Sequence, residues 1–348
     1  MSGLGPRSET ILHAIVSEYI SSGEPVGSRT VSKKFSVGLS AATIRIIMGD
    51  LTDMGFIEQP HVSAGRVPTD LGYRVYVDRL IATQKLDSDH EASIESSIKT
   101  AGLDVRDVLR HSSIVLAELS RQAGVSICSP VDEQTFKTIE FIKISSDRIL
   151  VVLVSTTGLV QNKVIYDEDN VNQETLEIYG RQLNEMLKDL DLRQARERIE
   201  RELCLEKTRF DVMLAKTLRL GHIILSDNWS AEVFVEGQTN IVDDPEFSQI
   251  ENLKAVLVTF EHKSALLKIL DKTLNARGVQ IFIGSEHGLD QIRSCSIIAY
   301  PLRADRQVLG CIGVVGSKRM NYSKVVPIVD ATASAITKVF KRLLERDS

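Results

Sequence analysis

Residues 40–68 read S-A-A-T-I-R-I-I-M-G-D-L-T-D-M-G-F-I-E-Q-P-H-V-S-A-G-R-V-P. Ile44, Met48 and Leu51 stand at i, i+4 and i+7, the spacing of one helix face. Ser40 is placed to cap that helix and Gly55 to end it. Phe56–Gln59 then suits a short strand, His61–Gly65 a polar tip that Gly65 lets turn, and Arg66–Pro68 a returning strand. A hairpin directly after a helix of this kind predicts a wing beside a recognition helix.

The flanking sequence completes the unit. Ile11, Leu12, Ile15, Val16, Tyr19 and Ile20 recur at helical spacing, and Gly23 is a natural stop. Ser28 is expected to cap a second short helix running to about Phe35, with Gly38 in the connection to the third. Three short helices, the last two joined by a Gly-containing turn, have the layout of a helix-turn-helix. From Thr69 another helical pattern begins, with Tyr73, Tyr76, Val77 and Leu80 on one side. A three-helix domain used for protein contacts is the plainer alternative; the order of helix, basic face and wing favours DNA.

Charge distribution agrees. The 348 residues carry 42 Lys or Arg and 47 Asp or Glu, net −5, which alone argues mildly against nucleic acid. Residues 1–80, however, hold eight basic and eight acidic side chains, so the excess negative charge lies beyond them. Within 28–50, Arg29, Lys33, Lys34 and Arg45 face only Asp50, net +3. A basic face on a neutral domain suits phosphate.

The candidate DNA contacts follow from these positions. Thr43, Arg45, Ile46 and Gly49 fall on or near the outward side of the third helix, and Ser40 at its start. Arg45 is the foremost base reader, since a guanidinium pairs guanine O6 and N7; a phosphate contact or an ion pair to Asp50 or Asp53 is the alternative. Ser28, Arg29 and Thr30 open the second helix, where free backbone N–H groups favour a phosphate. His61, Ser63, Arg66 and Thr69 belong to the wing, with Arg66 the foremost phosphate or minor-groove contact.

Length and composition bound the rest. At ~100–200 residues per domain the chain should hold two or three domains. With 43% apolar and 26% charged residues, collagen-like, low-complexity and wholly disordered readings are excluded. No apolar run reaches the ~18 residues of a membrane span, and the N-terminus lacks the pattern of a signal peptide. Cys128, Cys204, Cys295 and Cys311 are far apart without metal spacing, which suits a reduced, cytoplasmic protein. The seven histidines include no i,i+4 pair, so no zinc site is expected. Gly310, Gly313 and Gly316 have the wrong spacing for a phosphate loop, and Ser285, Glu286 and His287 are sequence neighbours rather than a triad. No catalytic residue, metal or cofactor is expected.

Residues 81–102 read as a polar linker with some helix, followed by a helix over 103–119. Residues 137–144, 149–155 and 160–166 suit an antiparallel meander, and 173–222 is helical. The pattern then becomes mixed, with strands at 233–235, 279–284, 295–302 and 308–316, one mostly helical stretch over 253–274 and a final amphipathic helix over 324–344. The expected class is therefore α+β multidomain. It comprises a winged helix-turn-helix at 1–80, segments at 103–132 and 223–348 whose antiparallel strands and flanking helices resemble a GAF-type fold, and a unit of three strands and helices at 133–222.

The chain resembles the heat-inducible transcription repressor HrcA family. The strings that carry the resemblance are E-Y-I-S-S-G-E-P-V-G-S-R-T-V-S at 18–32, A-T-I-R at 42–45, M-G-F-I-E-Q-P-H-V-S-A-G-R-V-P-T-D at 54–70 and G-Y-R-V-Y-V-D at 72–78. In the second half they are E-G-Q-T-N-I at 236–241, P-E-F at 245–247, I-G-S-E at 283–286 and G-V-V-G-S-K-R-M-N-Y-S-K-V at 313–325. The resemblance implies a non-catalytic homodimer on an inverted-repeat operator upstream of chaperonin and other heat-shock genes. It also implies a GAF-like fold with an inserted dimerisation domain, and a repressor that depends on the chaperonin to stay active. Under heat, unfolded clients occupy the chaperonin and repression falls. Ile46 and Ile47 stand where the family usually has Asn and often Glu, and Ser317 and Asn321 where it more often has Pro and Asp. A regulator responding to a small ligand through the GAF-like domain is the alternative reading.

Overall fold

The computed structural model describes residues 4–346 except 63, 82–85, 87, 101–103, 129–134, 157–159, 168–169, 207–211, 226–231, 275, 277 and 305–306. Helix α1 (Pro6–Ser22) starts on a proline and ends at Gly23, whose φ of 74° lets its N–H return to the Tyr19 carbonyl. Helix α2 (Ser28–Lys34) is capped by Gly27 without a side-chain bond; Ser28 is its first, buried residue rather than the cap. Helix α3 (Ala41–Asp53) is capped as expected, Ser40 Oγ accepting the Thr43 N–H at 3.2 Å. It buries Ile44, Met48 and Leu51 against α1. Strands β1 (Ile57–Glu58) and β2 (Val67–Pro68) pair antiparallel, Ile57 opposite Pro68, and helix α4 (Asp70–Ile81) follows.

The expected linker contains helix α5 (Ser88–Thr100), with Ile94 and Ile98 fully buried. Helix α6 (Val105–Ser120) leads into strand β3 (Ala123–Cys128). Strands β4 (Phe136–Ser145), β5 (Arg148–Ser155) and β6 (Val160–Tyr166) form the expected antiparallel meander. Helices α7 (Gln173–Leu187), α8 (Leu192–Glu206) and α9 (Val212–Leu225) come next. Ile139, Phe141, Ile149, Val151 and Leu153 point to one face of the meander and pack in a core with Leu176, Tyr179 and Leu183 of α7.

Strand β7 (Val233–Glu236), the short α10 (Thr239–Val242) and helices α11 (Ile250–Glu261) and α12 (Lys263–Leu274) follow. The single helical stretch expected over 253–274 is thus broken at His262, whose ψ of 72° leaves the helical region. Strands β8 (Gln280–Ile283), β9 (Cys295–Ala304) and β10 (Gln307–Ser317) and helix α13 (Tyr322–Arg346) complete the chain.

Strands β7-β3-β10-β9-β8, in that order, make one antiparallel sheet. The chain leaves this sheet after β3, builds the meander and its helices, and returns as β7 directly beside β3. Alternate residues serve two cores, as the strand period requires. Ile298, Ile312 and Val314 pack with α5, α6 and α13, while Ile297, Ala299, Cys311 and Val315 pack with Val256, Phe260, Leu266 and Ile269 of α11 and α12. Helix α6 lies very close to β3: a Cβ at Gly124 would fall 2.0 Å from the Ser113 carbonyl oxygen. Ser113 Oγ donates to Ser126 Oγ, which donates to the Leu109 carbonyl, both at 2.8 Å, so the contact is also polar-satisfied.

Gly124→Ala should therefore cost about 2–4 kcal/mol, because backbone must move. Gly49→Ala, whose Cβ meets nothing within 4 Å, should stabilise by up to about 1 kcal/mol as a mid-helix change. Urea midpoints of the two variants check both signs.

Candidate nucleic-acid interface

The buried face of α3 fixes its outward one. Thr43, Arg45 and Ile46 are exposed, Ile46 to 68%, and space above Gly49 is open. Ile47 is half-buried against the core. Ser40 Oγ also meets Thr43 Oγ1 at 3.0 Å, so the two hydroxyls hold each other at the helix start. No ion pair among the described residues engages Arg45, so the alternative partners Asp50 and Asp53 leave it free. In α2, Arg29 and Lys33 are exposed and Thr30 is half-buried, whereas Lys34 is tied to Glu18 at 2.6 Å.

The hairpin is fastened to the start of α2. Val26 and Arg66 exchange both backbone hydrogen bonds at 2.9 Å. A Cβ at Gly65 would lie 2.6 Å from the Pro25 and Val26 backbone. Its φ is not positive, so Gly65 serves this close approach rather than the turn of the tip. Gln59 Nε2 donates to the Val62 and Ala64 carbonyls at 2.8 and 3.1 Å and braces the tip. His61 and Val62 are exposed there, and Ser63 lies outside the described residues.

Arg66 Nε donates to Thr52 Oγ1 of α3 at 3.1 Å, which ties the hairpin to the helix and leaves the two terminal nitrogens without a hydrogen bond among the described residues. Thr69 is turned inward: its hydroxyl donates to the Gly55 carbonyl at 2.7 Å and accepts the Gly72 N–H at 3.3 Å, capping α4. Arg45, Arg66 and Ser28 thus meet around one cleft of about 370 Å³, with Val26, Gln59 and Val62 in its walls. Arg29 and His61 stand outside that lining, on α2 and at the hairpin tip.

A second set of residues, to which the sequence reading assigned no role, joins this unit to the five-stranded sheet. Asp70 accepts from Lys318 Nζ at 2.8 Å and from the Ser285 N–H and hydroxyl at 3.0 Å. Arg74 pairs with Glu286 at 2.5 Å. Arg319 donates to the Tyr19 carbonyl at 3.2 Å, pairs with Glu246 at 2.7 Å, and lies 5.4 Å from the Tyr19 ring centroid. Burial alone would raise the Asp70 carboxyl, but the bonds from Lys318 and Ser285 outweigh it and hold the group below the ordinary carboxylate range. Partners more than two hundred residues apart leave no local signal of pairing, although each of these residues falls within one of the strings that carry the family resemblance.

Comparison with known proteins decides the family. Residues 106–326 match the profile of the HrcA protein C terminal domain. The heat-inducible transcription repressor HrcA of Geobacter sulfurreducens is 42% identical over 345 residues, covering 99% of both chains. That of Syntrophobacter fumaroxidans is 39% identical over 343 residues, covering 98% of this chain and 99% of its own. The chain belongs to the HrcA family. A crystal structure of a hypothetical protein at 2.2 Å resolution superposes with a TM-score of 0.63 at 22% identity, over 98% of this chain and 99% of that one, and so shares the fold.

The stability Asp70 adds should be complete above about pH 4, near the unperturbed carboxyl value, and be lost as pH falls through its lowered one. Lys318→Met should lower stability by about 1 kcal/mol at neutral pH, discounted for partial exposure. Its urea midpoint should converge with the parent's below the point at which Asp70 is protonated.

Proposed function

We propose that the chain is a dimeric, sequence-specific DNA-binding repressor of heat-shock genes, not an enzyme. In this reading residues 1–80 are a winged helix-turn-helix, 103–132 and 223–348 a GAF-like domain, and 133–222 an inserted dimerisation domain. The observation that carries it is the outward face of α3, where Arg45 and Ile46 are exposed and free of ion pairs beside a cleft shared with the hairpin. The family membership supports the same reading.

Thr43, Arg45 and Ile46 enter the major groove over the open surface at Gly49, Arg45 pairing a guanine. Ile46 lacks the amide that would read adenine and contacts a thymine methyl instead. Arg29 and Thr30, at the start of α2, contact phosphate, as do His61 and the terminal nitrogens of Arg66 on the wing, and Ser63, outside the described residues, is a further candidate. Ser28, Ser40 and Thr69 position these groups. An inverted-repeat operator requires one reading unit per half-site, and hence a dimer. Exposed Ile142, Ile144, Val164 and Tyr166 on the meander support assembly through the inserted domain. The protein works in the bacterial cytoplasm, and chaperonin raises the fraction able to bind the operator.

Footprinting on the cognate chaperonin promoter tests this directly. Arg45→Ala should lose about 1–3 kcal/mol of discrimination between operator and scrambled DNA. Arg66→Ala should weaken both alike and reduce the salt slope by about 1. Ile46→Asn should change the preferred bases, and a chaperonin titration should increase operator occupancy. Unchanged binding by both arginine variants would reject the assignment.

A further inference from the structure

Val62 stands at the tip of the hairpin and is 98% exposed, more than any other large apolar side chain among the described residues. Singly exposed apolar residues are common on protein surfaces. This one differs in how firmly it is presented. Gln59 Nε2 donates to the Val62 and Ala64 carbonyls at 2.8 and 3.1 Å, and the Ala64 N–H donates to the His61 carbonyl at 2.8 Å. Arg66 exchanges two backbone bonds with Val26 and donates through Nε to Thr52 of α3. The tip is thus fixed both to α3 and to the segment that leads into α2, and three of its carbonyls are satisfied within the hairpin.

What the tip offers outward is therefore chiefly side chain, and at Val62 that side chain is a short branched hydrocarbon that adds nothing to the core. A hairpin fastened beside a helix in the major groove stands next to the adjoining minor groove. That groove is ~6 Å wide, too narrow for a two-stranded ribbon but wide enough for one side chain. Apolar side chains are a recurring means of engaging it. Its floor separates two kinds of base pair: A·T presents only the acceptors adenine N3 and thymine O2, whereas G·C adds the guanine N2 amino donor.

We propose that Val62 rests on the floor of the minor groove beside each half-site and there selects A·T over G·C base pairs. The inference rests on the DNA-binding reading above and adds to it a second, apolar element of sequence choice. The guanine N2 amino group projects from the floor into the groove. Val62 meets it at close range and removes its water without offering an acceptor, which costs more than covering the recessed acceptors of an A·T pair with a methyl group. Arg45 selects by donating hydrogen bonds in the major groove, whereas Val62 selects by exclusion. In this arrangement the terminal nitrogens of Arg66, at the foot of the same hairpin, neutralise a phosphate that borders the groove. The tip is then seated by charge and discriminates by shape and by the missing acceptor.

Val62 touches little of the protein, so Val62→Ala leaves folding intact and isolates the contact. Binding of the full chain is measured on duplexes that keep both half-sites of the footprinted operator, while each base pair beyond the α3 contacts is set in turn to A·T, G·C or I·C. Inosine lacks only the N2 amino group of guanine. At a flanking position in each half-site, G·C should weaken binding of the parent by about five-fold or more, and I·C should restore it to within about two-fold of A·T. For Val62→Ala the three duplexes should bind within about two-fold of one another at that position. Equal binding of the parent to A·T and G·C at every position, a penalty that inosine does not relieve, or one that Val62→Ala retains in full would overturn the contact and leave operator binding through α3 standing. A parent protein that does not prefer the operator to scrambled DNA would overturn both.

Discussion

Everything in the body of the protein is arranged around the close contact between α6 and β3. Strand β3 sits second in a five-stranded sheet and is buried along its whole length, so its partners on both sides must be supplied by segments far ahead in the chain. Gly124 and the Ser113–Ser126 bond let α6 lie directly on it, which sets the height of the helical layer that α5 and α13 then share. Because β7 returns beside β3, the meander and its helices hang from two adjacent strands. That topology lets an extra unit be added without disturbing the sheet's register.

The N-terminal unit is held to this body by charged groups rather than by a broad apolar seam alone. Asp70 and Arg74 lie on successive turns of α4 and meet opposite charges from the β10–α13 and β8–β9 connections. Tyr73 lies between them, buried, with its ring 6.3 Å from that of Tyr322. Among the described residues its hydroxyl has no hydrogen-bond partner.

The legible parts of the fold were those with a strong period. Ile44, Met48 and Leu51 located α3, and alternation in 137–166 located the meander. Strand β3 lacked such a signal: A-G-V-S-I-C is buried on both faces, and a short strand of that kind shows no alternation. The polar stretch expected as a linker contains Ile94 and Ile98, four residues apart, and these two buried side chains dock α5. Serine commonly caps, which makes Ser28 the expected cap; Gly27 caps α2 instead without a side-chain bond, and the serine stands one place inward. At the candidate site, positions on α3 and the hairpin followed from spacing. The inward turn of Thr69 and the anchoring of Arg66 to Thr52 depend on tertiary geometry and have no local signature.

The ion pair between Lys34 and Glu18 has a thermodynamic consequence for the proposed operator complex. A cation already neutralised within the chain displaces no counterion when DNA arrives, so it adds nothing to the entropy of ion release that drives indiscriminate binding. With Lys34 withdrawn, the basic stretch meets DNA through few free charges, and residence on bulk chromosomal sequence stays brief. In the proposed complex, groove contacts and the simultaneous engagement of two half-sites then carry more of the discrimination among sites than bulk charge does, which lowers its sensitivity to ionic strength.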